Sequence, residues 1–98
     1  MAPKKTEAAT VPVMDSRDRG IIVNALKTAA NAYEADERTF RQVVEDLQSG
    51  KPVPMFAAGD AGIKAARKLA DGAYTQARDA RELLGRYEAA DEADEASA

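Results

Sequence analysis

Apolar residues recur along the first half of the chain at alternating steps of four and three residues. Leu26, Tyr33, Phe40 and Leu47 follow one another at intervals of seven residues. This spacing places side chains on one stripe of an α-helix and is typical of a coiled-coil seam. The predicted seam of this helix comprises Ile22, Leu26, Ala29, Tyr33, Asp36, Phe40, Val43 and Leu47. Its one polar member, Asp36, predicts a position that fixes the register of the helix pair, with the Tyr74 hydroxyl as its expected partner.

A second stretch has the same spacing but mostly small residues. Its predicted seam comprises Ile63, Ala66, Ala70, Ala73, Ala77, Ala80, Leu84 and Tyr87. Bulky side chains that face alanines allow two helix axes to approach closely while the space between them stays filled. With a turn near Met55, residue i of the first helix faces roughly residue 110 − i of the second, so we expect Phe40 over Ala70 and Leu26 beside Leu84.

Capping and breaking residues set the bounds of the two helices. Asp15 or Ser16 can cap the first helix, Gly50 tolerates the left-handed conformation that follows a last turn, and Asp60 opens the second helix. The sequence therefore predicts an all-α fold, an antiparallel two-helix hairpin of coiled-coil type. Its parts are a helix over residues 15–49, a loop over 50–59 and a helix over 60–88.

The two ends of the chain lack this pattern. Residues 1–14 hold two prolines and no helical period, which predicts a flexible N-terminal arm. Residues 89–98 form an acidic C-terminal tail with no basic residue. Because acidic side chains oppose the dipole at a helix C-terminus, we expect the last helical turns to fray.

Further apolar residues flank both seams, namely Val23, Val44, Leu69, Tyr74 and Leu83. A two-helix layer leaves one side of each seam in water, so a stripe this wide favours a second layer. We expect a homodimer that forms a four-helix bundle, or a partner protein's helical hairpin that completes one. The expected interface residues are Ile22, Leu26, Tyr33, Phe40, Val44, Leu47, Leu69, Tyr74, Leu83 and Leu84.

Composition narrows the classes of function. The 98 residues include no cysteine, histidine or tryptophan, which removes thiolate chemistry and the commonest zinc ligand. The net charge of −3 gives no overall attraction to nucleic acid. We therefore expect a protein partner, and neither an enzyme nor a carrier of a cofactor, a metal or a small-molecule substrate. No apolar run is long enough to span a membrane.

The segment from Tyr87 to Asp91 places an aromatic ring and a carboxylate one helical turn apart. A Tyr-x-x-x-Asp motif after a helical hairpin, in a chain of this length, resembles the C-terminal signal of the WXG-like substrates of type VII secretion and their actinobacterial relatives. The resemblance implies a non-catalytic four-helix-bundle dimer in which Tyr87 and Asp91 are recognised by the secretion machinery. The Trp-x-Gly turn of that family is absent here.

Other interpretations stay open. Tyr87 can simply close the seam, with Asp91 on the solvated surface. The chain can equally be a small structural or assembly protein of a larger particle, such as an actinobacterial phage virion. The compartment stays open among the cytoplasm, export without a conventional signal peptide, and a virion. At the loop tip, Met55 and Phe56 are either a docking knob or, as we expect, fold back to cap the end of the bundle.

Overall fold

The computed structural model describes residues 11–97, which form two α-helices packed side by side as an antiparallel hairpin. Helix α1 is Ser16–Gln48 and helix α2 is Asp60–Ser97. The prediction of an all-α helical hairpin is confirmed, and the described part of the chain contains no strand. Residues 1–10 of the predicted arm lie outside the described residues.

Both ends of α1 are closed by the residues that the sequence pointed to. The Asp15 carboxylate accepts a hydrogen bond from the Asp18 backbone N–H at 2.9 Å, as an N-cap does. At the other end, Gly50 has a positive φ of 84°, and the N–H of Lys51 donates to the Asp46 carbonyl at 2.9 Å. Together with a bond from Gly50 N–H to Leu47, this is a Schellman motif, which satisfies the last carbonyls of the helix.

Helix α2 continues well beyond the predicted end near residue 88, as far as Ser97. Residues 89–97 are thus helical in the structure, and fraying of the last turns stays a prediction. A specific contact explains part of the difference. Asp91, within the extension, accepts a hydrogen bond from the buried Arg19 of α1, which offsets the unfavourable position of an acid near a helix C-terminus.

The hairpin is one helix layer thick, with principal extents of 59 × 32 × 16 Å. Its interior is the line where α1 and α2 touch. On α2 the buried residues follow the predicted seam, with Ala66, Ala70, Ala73, Ala77, Leu84 and Tyr87 buried and Ile63 and Ala80 half-buried. No large side chain of the described residues is fully enclosed, because a single layer has no second face to cover it.

On α1 the buried stripe differs from the predicted seam at every second position, where the buried residue is the one that follows the predicted residue. The stripe that faces α2 comprises Arg19, Val23, Leu26, Ala30, Tyr33, Glu37, Phe40, Val44 and Leu47, all buried or half-buried. It shares Leu26, Tyr33, Phe40 and Leu47 with the predicted seam. Asp36 is exposed, so its predicted place inside the seam is wrong, and Glu37 takes that position. The remaining predicted members are half-buried at the edge of the interface.

The register agrees with the expected pairing. Arg41 donates a hydrogen bond to Asp71 at 3.2 Å. These two residues directly follow Phe40 and Ala70, the predicted pair, each on its own helix. Leu26 packs against a cluster that contains Leu84, as expected. The register is thus fixed by contacts along the whole hairpin rather than at the loop alone.

The end of the hairpin opposite the loop is closed by apolar packing. Val23, Leu84 and Tyr87 form a buried cluster, and Val11 and Met14 from the chain before α1 pack against it. The last residues of the predicted flexible arm therefore contribute to the fold. They cover the end of the seam, which two helices alone would leave in water.

Candidate functional site

The two sides of the hairpin differ in chemistry. On one side, charged residues join α1 to α2: Arg81 donates to both carboxylate oxygens of Glu34, at 2.8 and 3.0 Å, and to Asn31 at 2.8 Å. Arg41 bridges Asp71 and Glu37 at 3.2 Å each. We call this side, defined by Asn31, Glu34, Arg41, Asp71 and Arg81, the ionic face.

These pairs affect the titration of their members. The hydrogen bonds from Arg81 hold the pKa of Glu34 below its ordinary value of 4.5. The same bonds raise the pKa of Arg81, and the bond to Asp71 raises the pKa of Arg41. All of these groups are at the surface, so the pairs orient the helices more than they stabilise the fold.

The other side of the hairpin, here called the apolar face, carries no such ionic links between the helices among the described residues. On α1 this face carries the half-buried residues Ile22, Ala29, Tyr33, Phe40 and Val43, and the exposed Asp36 lies on the same stripe between Ala29 and Val43. On α2, Leu69 is 46% exposed and Leu83 is 37% exposed. With about 3.6 residues per turn, these two leucines lie on the same flank of the α2 seam. On this face Leu69 and Leu83, which sequence reasoning assigned to a second layer, are therefore exposed, whereas the α1 residues assigned with them, Val23 and Val44, are buried against α2.

An apolar groove of about 500 Å³ lies at the loop end of the apolar face. We call it the loop groove. It is lined by Phe40, Pro54, Met55, Phe56, Ala57, Ala61, Ala65 and Leu69. Every lining side chain is apolar, and the volume of the groove falls within the range of sites that take a bulky ligand group.

Gly62 determines how the loop sits against α2. A Cβ atom built on this buried glycine would lie 1.7 Å from the carbonyl oxygen of Ala57, closer than any real contact. Glycine is therefore the residue that lets the loop backbone pack directly on the first turn of α2. This close approach sets one wall of the loop groove. Sequence reasoning assigned the region around Gly62 only to a turn and a helix cap.

Met55 stands at the tip of a tight turn. Phe56 N–H donates to the Val53 carbonyl at 3.2 Å, and Met55 has a positive φ of 72°. With Pro54 before it, this geometry fits a type II turn, in which glycine or asparagine usually occupies the place of Met55. The Met55 side chain is fully exposed, whereas Phe56 is half-buried in the groove wall. The expectation that both fold back is therefore wrong for Met55.

The predicted recognition pair, Tyr87 and Asp91, is engaged within the hairpin. Tyr87 is 7% exposed and packs with Val23 and Leu84. Asp91 pairs with Arg19, whose Nε lies 2.5 Å from the carboxylate. The arrangement makes Tyr87 the end of the seam, and it gives Asp91 a structural partner that sequence reasoning did not identify.

The ten predicted interface residues divide into three groups. Val44, Leu47 and Leu84 are buried between α1 and α2, and Ile22, Leu26, Tyr33 and Phe40 are half-buried. Leu69, Tyr74 and Leu83 are exposed. By helical geometry Tyr74 lies on the opposite flank of the α2 seam from the two leucines, toward the ionic face. The ten predicted interface residues therefore do not all lie on one face of the hairpin.

No cluster of three potential metal-binding side chains occurs within residues 11–97, and no described helix is both long and apolar enough to cross a membrane. Comparison of the chain with models of protein families, with curated proteins and with solved structures finds no match.

Proposed function

We propose that this chain is a non-catalytic helical-hairpin module that binds another protein surface through its apolar face. The observation that carries the proposal is the uncovered pair Leu69 and Leu83 on a structure only one helix layer thick. Small helical folds are stable when an apolar stripe is buried against a second layer. Leu69 and Leu83 lie on one flank of α2 about 21 Å apart, on either side of Gln76, so a partner helix of that length would contact both.

The composition of the α2 stripe suits close packing. Ala65 and Gly72 lie on the same flank of α2 as the two leucines. Because both residues are small, an incoming helix can approach the α2 backbone at these two positions. Burying the rest of each leucine side chain contributes about 1 kcal/mol. Either a second copy of the chain or a hairpin of another protein completes a four-helix bundle in this way.

Sedimentation equilibrium tests the proposal. The wild-type chain should form a dimer or larger species, and the double variant Leu69→Glu/Leu83→Glu should reduce this association while keeping its helicity. Tyr74→Glu is the matched control, because Tyr74 is 51% exposed but lies on the other flank of α2. A wild-type monomer whose thermal unfolding does not depend on concentration, and is indifferent to both changes, would contradict the need for a second layer.

Export by a type VII-like route stays a prediction, as does assembly into a larger particle. Recognition of Tyr87 by a receptor requires that the end of α2 separate from α1, because the ring is buried there. Tyr87→Ala removes packing and signal together, whereas Arg19→Met removes the hydrogen bonds of Arg19 to Asp91 and Met14 and leaves both motif residues in place. If the motif is a signal, export is lost in Tyr87→Ala and retained in Arg19→Met. If both variants lose export in proportion to their loss of stability, the motif has only a structural role.

A further inference from the structure

The apolar face carries two columns of residues that the hairpin covers only in part. The α1 column is Ile22, Ala29, Asp36 and Val43, and the α2 column is Leu69, Gln76 and Leu83. Each member directly precedes a residue that is buried or half-buried between the helices, and successive helical residues point about 100° apart. Both columns therefore turn out of the seam toward the same face. This is the position of core residues in a four-helix bundle, which face between two neighbouring helices.

The two columns match level by level. Arg41 donates a hydrogen bond to Asp71 across the seam. Arg81 donates to Asn31 in the same register, so residue i of α1 lies level with about residue 112 − i of α2. At this register three pairs share a level, namely Val43 and Leu69, Asp36 and Gln76, and Ala29 and Leu83. Within one hairpin the members of a pair lie side by side, whereas a second hairpin can place them opposite each other.

We propose that a second copy of the chain covers the apolar face, related to the first by a twofold axis parallel to the helices. This symmetry keeps every residue at its level and lays α1 of each copy antiparallel against α2 of the other, with both loops at one end. Val43 then meets Leu69 of the second copy, and Leu83 meets the small Ala29. The inference rests on the proposed function and identifies the partner as this chain itself.

The polar members of the columns favour this axis. Asp36 is the only charged residue in the two columns. In the proposed dimer its carboxylate faces the Gln76 amide of the second copy, which can donate a hydrogen bond, and the symmetry repeats the contact. A twofold axis perpendicular to the helices would instead set Asp36 against its own counterpart, and like charges at a contact oppose association. One polar layer among apolar ones also fixes the register of packed helices.

The apolar face is large enough for a stable dimer. Helix α1 has 33 residues and is about 50 Å long, and two helix axes about 8–10 Å apart give a face about 20 Å wide. Such a face has an area of about 1,000 Å², which exceeds the roughly 800 Å² that each partner buries in a stable interface. The opposite side is less suited to this contact, because Arg41 and Arg81 bridge the helices there.

Disulfide crosslinking tests the geometry, because the chain has no cysteine of its own. Asp36→Cys and Gln76→Cys chains, refolded together, should form covalent dimers on oxidation. Neither chain alone should do so, because like positions lie across the diagonal of the bundle, beyond the reach of about 7 Å between the Cα atoms of a disulfide. Asp36→Cys refolded with Tyr74→Cys is the control and should give no covalent dimer, because Tyr74 is exposed on the other flank of α2.

Two outcomes of this experiment would overturn the proposal. Covalent dimers of Asp36→Cys alone would indicate the perpendicular axis. Absence of covalent dimers from the mixture with Gln76→Cys would mean that the two columns do not meet.

An amide-to-acid change tests the polar contact. Gln76→Glu sets a carboxylate against Asp36 of the second copy twice in each dimer and should raise the dissociation constant by about tenfold. Gln48→Glu is the same chemical change at an exposed residue in the ionic-face column of Glu34 and Arg41, and it should change the constant by less than about twofold. Sedimentation equilibrium measures both variants, and circular dichroism checks their helicity. An unchanged dissociation constant in Gln76→Glu would overturn the proposal.

These measurements separate this inference from the proposed function. A dimer that Leu69→Glu/Leu83→Glu disrupts, but that crosslinks through Asp36→Cys alone, would overturn the proposed symmetry and leave the interaction module standing. A wild-type monomer at every concentration would overturn this inference. It would overturn the proposed function as well if Leu69→Glu/Leu83→Glu leaves the thermal unfolding unchanged.

Discussion

Arg19 and Asp91 join the first turn of α1 to α2 at a point one turn beyond Tyr87, with 2.5 Å between the Arg19 Nε and the carboxylate oxygen. Arg19 is 4% exposed and also donates to the Met14 carbonyl at 3.3 Å. The guanidinium thus holds three segments together: the chain before α1, α1 itself and the extension of α2. A cation this deeply placed is stable only with such partners.

Removal of the acid should therefore be costly. Asp91→Ala removes the carboxylate that lies 2.5 Å from the buried Arg19 Nε and should lower the free energy of unfolding by about 1–3 kcal/mol. The lower part of the range reflects the 37% exposure of the Asp91 side chain. Urea unfolding measures the change. A double-mutant cycle with Arg19→Met isolates the pair: the loss in Arg19→Met/Asp91→Ala should be smaller than the sum of the two single losses, and additive losses would contradict the pairing.

The two glycines Gly62 and Gly72 should respond in opposite directions to alanine. Gly62→Ala forces the Ala57 carbonyl away and should destabilise the hairpin by about 1–3 kcal/mol. A methyl group added at Gly72 would meet no atom within 4 Å, so Gly72→Ala should stabilise α2 by about 0.5–1 kcal/mol. Thermal and urea unfolding of the two variants give the comparison. Stabilisation by both changes would mean that the loop does not pack on Gly62.

The turn at Met55 should accept glycine more readily than a branched residue. Met55→Gly relieves the positive φ and should stabilise the fold by up to about 1 kcal/mol, although greater freedom of the unfolded chain offsets part of the gain. Met55→Val should destabilise it, because a β-branched residue is least tolerant of this conformation. Urea midpoints of both variants provide the check, and destabilisation by both would argue against the positive φ.

The ion pair between Glu34 and Arg81 predicts a loss of stability in acid. The pKa of Glu34 is lowered in the folded chain, so the unfolded chain takes up its proton first as the pH falls. The contribution of this carboxylate is complete above its ordinary pKa of 4.5 and is lost as the pH falls through the lowered folded value. A carboxyl NMR titration should show the low pKa, and Arg81→Met should return it toward the ordinary value. An unchanged pKa in Arg81→Met would exclude the pair as its cause.

The seam of α2 could be predicted residue by residue, whereas that of α1 could not. On α2 the small residues Ala66, Ala70 and Ala73 allow only one stripe to face a bulky partner. On α1 two neighbouring stripes share Phe40 and Leu47, and both are largely apolar. The buried stripe also contains Arg19 and Glu37, charged residues that a search for apolar spacing does not select. Only the position of Asp91 on the opposing helix explains why Arg19 belongs inside.

The loop groove was beyond the reach of sequence patterns for a different reason. It depends on the approach of the Ala57 carbonyl to Gly62, a contact between backbone atoms that leaves no periodic signal. The conformation of Met55 was equally hidden, because methionine is unusual at that place of a type II turn. By contrast, sequence reasoning identified Leu69 and Leu83 on the apolar flank, because α2 has more apolar residues than one seam requires.

The antiparallel course of the helices has a further consequence for anything attached to the chain. The chain enters α1 and leaves α2 at the same pole, and the loop groove is at the other, along a body 59 Å in its longest dimension. A fused domain or surface anchor at either terminus would therefore be held about 50 Å from the groove, the length of a 33-residue helix. Such an attachment and the loop would be separated by a stiff two-helix spacer, at opposite poles of the hairpin.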